Sequence, residues 1–141
     1  MDQGDALDSP DGRTTSEATT RRVRVYVEAE YSPEHSSPMN NHWFFLYTVQ
    51  ISNEGDETVQ LISRHWVIAD AMDRVEEVRG LGVVGKQPVL EPGDSFEYTS
   101  GCPLGTPFGE MRGTYQMVTA SGDRFDVEIA PFALKAPFTV H

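Results

Sequence analysis

The stretch GLGVVGKQPVLEPG, residues 80–93, decides the fold class of this chain of 141 residues. Its first half, Gly80–Gly85, matches the pattern G-x-G-x-x-G, in which a dinucleotide-binding loop follows a strand and opens a helix. The helix is required because the N–H groups at its N-terminus hold the pyrophosphate. Here Pro88, Pro92 and Gly93 follow closely and exclude a helix of useful length. We therefore predict that the glycine segment links strands, and we reject a Rossmann-type dinucleotide site.

On both sides of this segment, apolar residues recur at every second position, which is the period of a half-buried strand. The pattern is clearest over residues 21–31 and 42–53, and a phase shift in the following strand indicates a bulge near 62–64. Turn residues separate such runs about every ten positions. The fold class predicted is all-β, an immunoglobulin/fibronectin type III-like β-sandwich of seven to eight antiparallel strands.

The charge of the chain is strongly acidic, with 22 Asp and Glu against 11 Lys and Arg and a formal net charge of −11. This balance argues against nucleic acid and against an anionic membrane surface as partners. Apolar runs stay well below the roughly 20 residues that span a bilayer. The single cysteine, Cys102, permits no disulfide within the chain, which is typical of a reducing compartment. We expect a soluble cytoplasmic protein without a cofactor.

The first residues differ in composition from the rest. Residues 1–19 hold several acidic residues and few large apolar side chains. Such a segment cannot bury enough surface to offset its ordering entropy. We predict a disordered acidic tail over 1–19 and one sandwich domain over 20–141.

Two interpretations of the glycine segment remain open. In the first, the glycines permit positive φ angles or a close backbone approach. In the second, consecutive N–H groups form a cradle for a phosphate or nucleotide, with nearby cations supplying charge. Acidic residues at 70, 73, 76 and 77 would offset those cations. The candidate anion-binding residues are Gly80, Gly82, Gly85, Lys86, Arg79 and Arg64.

A protein partner is the other hypothesis, because Arg and Trp are typical interface anchors. The candidate interaction surface consists of His65, Trp66, Gln87 and Pro88, although the alternation of Trp66 with Ile68 is as compatible with a core position. Free sheet edges also leave room for weak homo-oligomers. The sequence has no histidine pair at metal-ligand spacing and no recognisable nucleophile signature, so we predict no metal site and no catalytic residues. Cys102 is expected to be a buried, inert thiol.

Several ordered blocks of the sequence closely resemble the ApaG family. They are RHWVIAD at 64–70, EVRGLGVVGKQP at 77–88, LEPG at 90–93, YTSG at 98–101 and TPFGEMRGTYQM at 106–117. The resemblance runs from about Thr20 to Leu134, and the glycine motif of the family maps onto Gly80, Gly82 and Gly85.

The resemblance implies a fibronectin type III-like sandwich, in agreement with the periodicity. The bacterial family takes its name from an operon shared with a diadenosine tetraphosphate hydrolase and is linked to cobalt resistance and magnesium efflux. In eukaryotes the domain occurs in F-box proteins and in a polymerase-interacting protein, where a protein-binding role is inferred. The resemblance carries over no catalytic residue. It implies a protein-interaction module with an indirect link to divalent-cation homeostasis, and the alternative is a sensor of phosphates or dinucleoside polyphosphates.

Overall fold

The computed structural model describes residues 13–137, and its regular structure is almost entirely β. Two single 3₁₀ turns, Pro33–His35 and Pro38–Asn40, lie between the second and third strands. No helix within the described residues is long and apolar enough to cross a membrane. The strands are β1 (Thr14–Thr20), β2 (Val23–Tyr31), β3 (Trp43–Asn53), β4 (Val59–Asp70), β5 (Val75–Leu81), β6 (Val89–Leu90), β7 (Ser95–Leu104), β8 (Phe108–Thr119) and β9 (Arg124–Lys135).

The strands form two antiparallel sheets that pack face to face. One sheet has the order β1-β2-β3-β7, and the other has the order β5-β4-β8-β9 with β6 paired to β4 beside β5. The predicted all-β sandwich is confirmed. Within residues 13–137 there are nine strands rather than seven or eight, because β1 and the two-residue β6 were not expected. The predicted bulge is also present, since the register of β4 against β8 shifts between Leu61 and Ser63.

The core lies between the sheets and follows the alternation read from the sequence. Val23, Val25 and Val27 on β2 are fully buried, and Phe45, Val49 and Ile51 on β3 are buried beside them. The second sheet contributes Trp66, whose ring meets Tyr47 edge-on at 5.3 Å between centroids and Phe132 at 6.0 Å. Edge-to-face aromatic pairs of this kind stabilise beyond the area they bury.

The predicted boundary of the N-terminal tail is wrong for its last residues. Thr14–Thr20 forms β1 and pairs with the whole length of β2. The side chains of Thr14 and Ser16 are buried, and their hydroxyls donate to carbonyls of β9 at Ala133 and Ala130. The hydroxyl groups of Thr14 and Ser16 thus hold β1 against β9, as apolar side chains hold the other strands against the core. The disorder predicted for residues 1–12 lies outside the described residues.

The two lateral sides of the sandwich are built differently. On one side the edges β1 and β9 are joined by hydroxyl–backbone hydrogen bonds, which include Glu128 N–H donating to Thr20 Oγ1 at 3.1 Å. We call this the closed side. On the other side, β5 and β7 end their sheets, and a cleft of about 240 Å³ lies between them. This open side carries the glycine segment at one end of β5.

Candidate functional site

The glycine segment is the end of β5 followed by a tight hairpin. Val83 and Lys86 exchange backbone hydrogen bonds of 2.8 and 2.9 Å, so Val84 and Gly85 are the two residues of the turn. Both have positive φ, 43° at Val84 and 80° at Gly85. Positive φ at both central residues is the geometry of a type I′ turn, which suits the twist of a hairpin. The chain therefore links strands here, as the prolines predict, and we call residues 83–86 the glycine hairpin.

Gly82 is required for a steric reason, and Gly80 lies in close contact with Arg64. A Cβ on Gly82 would lie 2.3 Å from the carbonyl oxygen of Lys86, and its φ is +64°. A Cβ on Gly80 would lie 2.9 Å from Nη2 of Arg64. The guanidinium of Arg64 passes beneath Gly80, and its Nη1 donates to the carbonyls of Leu81 at 3.0 Å and Gly82 at 2.8 Å. This arrangement explains the first interpretation of the motif, close backbone approach and positive φ.

The groups of the proposed anion cradle do not converge. The N–H groups of Gly82, Val83 and Lys86 all donate to backbone carbonyls, and the Arg64 guanidinium is directed to carbonyls as well. Arg64 is paired with Gly80 in the sheet, whereas Arg79 is paired with His65, so the two arginines lie on opposite faces. The Nη2 atom of Arg79 is 3.2 Å from the Glu77 carboxylate. The anion-binding hypothesis stays a prediction, without a converged site.

The predicted interaction surface is divided by the fold. Trp66 is only 2% exposed and belongs to the core, which corrects its inclusion in the surface. His65 lies on the outer face, where its Nε2 is 2.7 Å from Glu77 Oε1. Gln87 and Pro88 hold the returning chain against β4, because Gln87 Nε2 donates to Ile62 O and Pro88 O accepts from Leu61 N. Strand alternation puts His65 and Trp66 on opposite faces of the sheet, so these two side chains cannot form one surface.

Exposed apolar side chains surround the glycine hairpin, and sequence reasoning missed them. Leu81 is 74% exposed, Val84 53% and Val89 55%. Of these three side chains, that of Leu81 lines a shallow depression of about 450 Å³, together with Ser63, His65, Arg79 and Gln116 among others. Its polar groups are largely paired, since His65 and Arg79 share Glu77 and Ser63 Oγ donates to Gln116 Oε1 at 2.8 Å. Such a surface suits contact with a protein better than tight capture of an ion.

The cleft of the open side contains the only cysteine of the chain. Its walls include Tyr47, Arg64, Trp66, Glu76 and Cys102. Burial, and after it the nearby Glu76 carboxylate, raises the pKa of the Cys102 thiol to about 12. A thiol held in the protonated form is a poor nucleophile at neutral pH. The hypothesis of a buried, inert thiol agrees with this environment.

The acidic residues near the β4–β5 turn have structural roles. Oδ1 of Asp70 accepts hydrogen bonds from the N–H groups of Met72 and Arg74, and Oδ2 accepts from Arg74 Nε at 2.9 Å. Backbone and side-chain hydrogen bonds from Arg74 and Met72 outweigh partial desolvation and lower the pKa of Asp70. Among residues 13–137, no cluster of three or more His, Cys, Asp or Glu side chains is arranged to hold a metal ion.

Comparison with known proteins gives concordant results. The family model of the ApaG domain matches residues 33–119. Protein ApaG of Rhodopseudomonas palustris (strain TIE-1) is 57% identical over 120 residues, which is 85% of this chain and 92% of that protein. Protein ApaG of Bordetella pertussis is 56% identical over 119 residues, 84% of this chain and 91% of that protein.

Solved structures resemble this one over most of the chain. The crystal structure described as that of an ApaA protein from Bordetella pertussis has a TM-score of 0.79 and 52% identity, covering 89% of this chain and 97% of its own. A second X-ray structure, of a structural-genomics target, also has a TM-score of 0.79, with 45% identity and coverage of 85% and 91%. The sandwich and its strand arrangement are therefore shared with proteins that are close in sequence.

Proposed function

This chain belongs to the ApaG domain family, and we propose that it is a non-enzymatic protein-interaction module whose contact surface is centred on the glycine hairpin. The observation that carries this proposal is the conformation of Val84. A β-branched residue is rare at positive φ, where Asn, Asp and Gly are preferred in a type I′ turn. Val84 nevertheless adopts φ 43° and leaves 53% of its surface exposed.

Backbone strain that is not offset by buried contacts of the side chain is typical of functional positions. At Val84 the strain presents an apolar side chain at the tip of the hairpin, and the exposed side chains of Leu81 and Val89 flank the hairpin in the sequence. The hairpin is rigidly placed, because Gly82, Gln87 and Pro88 are all hydrogen-bonded to β4. A preorganised apolar tip of this kind reduces the ordering cost of binding.

Two features support a binding role over an enzymatic one. The thiol of Cys102 is kept protonated by burial, and the shared carboxylate of Glu77 is occupied by His65 and Arg79. The buried free thiol also fits a reducing compartment, and we place the module in the cytoplasm. The link of the family to cobalt resistance and magnesium efflux would then be indirect, through the partner that the hairpin binds.

The proposal is tested by replacing the tip with a residue that the turn prefers. In Val84→Asn the apolar side chain is removed while the type I′ geometry is favoured, so the unfolding midpoint should be unchanged or raised. We expect the immobilised variant to lose proteins that the wild-type chain retains from a cell lysate. Met39→Asn is the matched control, because Met39 is 98% exposed in a 3₁₀ turn distant in sequence from the hairpin. Equal capture by Val84→Asn and wild type, or no specific capture by the wild type, would overturn the proposal.

A further inference from the structure

We propose that the free edge of β5 binds the same edge of a second copy of this chain, in an antiparallel pairing centred on Val78. This inference goes beyond the proposed function, because it concerns a copy of the same chain and the backbone edge of β5 instead of the hairpin tip.

The backbone groups of β5 that point away from the sheet are identified by the bonds at its two ends. Asp70 N–H donates to Arg74 O at 3.0 Å, and Gly82 N–H donates to Ile62 O at 2.8 Å. In an antiparallel ladder, residues that bond to the neighbouring strand alternate with residues that do not. Even-numbered residues of β5 therefore bond to β4, and the N–H and C=O groups of odd-numbered residues face the free edge. They are Val75, Glu77, Arg79 and Leu81, and of these groups the Leu81 carbonyl already accepts a hydrogen bond from Arg64 Nη1.

Only registers that place odd-numbered residues opposite each other can form hydrogen bonds across two such edges. Pairing centred on Glu77 would put two glutamates directly opposite, and pairing centred on Arg79 would do the same with two arginines. Like charges in directly opposite positions are destabilising. Centred on Val78, the pairing puts Glu77 of each copy opposite Arg79 of the other. This register also overlaps the full strand, Val75–Leu81.

The remaining positions of this register match as well. Val75, 60% exposed, lies opposite Leu81, 74% exposed, so two apolar pairs flank the two charge pairs. On the inner face, Val78 meets Val78 and Glu76 lies opposite Gly80. The Arg64 guanidinium lies beneath Gly80, which places an opposite charge near the Glu76 carboxylate. The strand is thus complementary to itself at each of its positions, as a two-fold interface requires.

The association is expected to be weak and reversible. One pair of short strands buries far less than the roughly 1,200–2,000 Å² of a stable interface. The net charge of −11 adds repulsion between copies. Dimerisation should therefore depend on concentration and appear in sedimentation velocity between about 10 μM and about 1 mM, where weak specific complexes are measured.

The test uses charge reversal on the full chain. Glu77→Arg and Arg79→Glu each turn both charge pairs into like-charge pairs, and each should raise the dimer dissociation constant about tenfold. Mixing the two variants should restore association, because a heterodimer of them has two opposite-charge pairs. The double variant Glu77→Arg/Arg79→Glu should dimerise as the wild type does. Monomeric wild type up to about 1 mM, or single variants that dimerise as well as wild type, would overturn the proposal.

The matched control is Glu110→Arg on β8. Glu110 and Arg112 lie 3.4 Å apart with the same two-residue spacing and similar exposure, but β8 has neighbours on both sides. This reversal should leave dimerisation unchanged. Val84→Asn should leave it unchanged too, which separates failure of this proposal from failure of the proposed function. A circular-dichroism melt on each variant checks that the fold is retained.

Amide hydrogen exchange tests the pairing directly, because a change in net charge alone would not alter the protection of individual amides. The N–H groups of Glu77 and Arg79 should gain protection as protein concentration rises. Those of Val78 and Gly80 should be protected at all concentrations, because they already bond to β4. Protection of the odd-numbered amides only after a different protein is added would assign the edge to that protein and overturn self-pairing.

Discussion

The closed and open sides of the sandwich solve the same physical problem in different ways. Each sheet ends in strands whose backbone groups lack a neighbour, which is a hazard for aggregation. On the closed side, hydroxyls of Thr14, Ser16 and Thr20 bond across to β9. On the open side, charged residues line β5, and Arg64 covers two carbonyls at its end. The closed side joins its two edge strands through side-chain hydrogen bonds, whereas the open side leaves the edges of β5 and β7 without a neighbouring strand among the described residues.

The largest effect that sharpens this comparison is expected at Gly82 on the open side. Gly82→Ala combines a left-handed conformation, costing roughly 1–2 kcal/mol, with a clash against Lys86 O, so we expect a loss of about 3 kcal/mol. Gly85→Ala is the matched control, because its φ is +80° but no atom lies within 4 Å of an added Cβ. It should cost only about 1 kcal/mol. Urea unfolding measures both, and equal losses would contradict the steric role of Gly82.

The second effect concerns how far water is excluded from Cys102 in the cleft on the open side. Because the pKa of Cys102 is about 12 in the folded state and near its usual 9.0 when unfolded, the thiol is protonated in both states below pH 9. As the pH rises from 9 to 12, the unfolded chain releases a proton that the folded chain retains, so stability falls. By pH 10 the loss is about 1.4 kcal/mol.

The matching measurement is the pH dependence of the unfolding free energy of wild type against Cys102→Ser. The serine variant lacks this thiol, and subtraction removes the contribution of the tyrosines that titrate in the same range. The difference should be constant from pH 7 to 8.5 and should change by about 1.4 kcal/mol at pH 10. No change would mean that water reaches the thiol and that the open side extends into the core.

The last comparison sets a hydroxyl of the closed side against a charged side chain of the open edge, where the smallest effect is expected. Ser16→Ala removes a hydroxyl whose bond to Ala130 O measures 2.9 Å, and it leaves that carbonyl without the donor. We expect a loss of about 1 kcal/mol in urea unfolding. Glu76→Gln on the open edge is the counterpart and should change stability by less than about 0.5 kcal/mol, because this side chain is exposed. A larger loss at Glu76 than at Ser16 would reverse the assignment of the two sides.

How far the sequence predicts the structure depends on what buries each strand. The runs at 23–31 and 43–53 are read correctly because their buried positions are apolar. Strand β1 is missed because its buried positions are Thr14 and Ser16, whose hydroxyls satisfy β9 carbonyls. The hydroxyl residues Thr14, Ser16 and Thr20, which share one phase of the alternation with Ala18, are the one signal that could have revealed it.

The candidate site is predicted only in part, for reasons of register. The prolines after the glycines exclude a helix, and that conclusion needs no tertiary information. The separation of Arg64 from Arg79 depends on which β4 residue lies opposite which β5 residue. This pairing register cannot be predicted from the sequence of either strand alone. The exposure of Val84 likewise follows from the turn type, which the hydrogen bonds of Val83 and Lys86 define.

The Arg64–Gly80 contact has a consequence for aligning related sequences. Because a Cβ at position 80 would lie 2.9 Å from the Arg64 guanidinium, any larger residue there would displace the guanidinium from its present position. An insertion or deletion in the connection between β4 and β5 that moved Gly80 away from Arg64 would bring a side chain onto the guanidinium. Arginine and glycine at this spacing therefore mark how β4 aligns with β5.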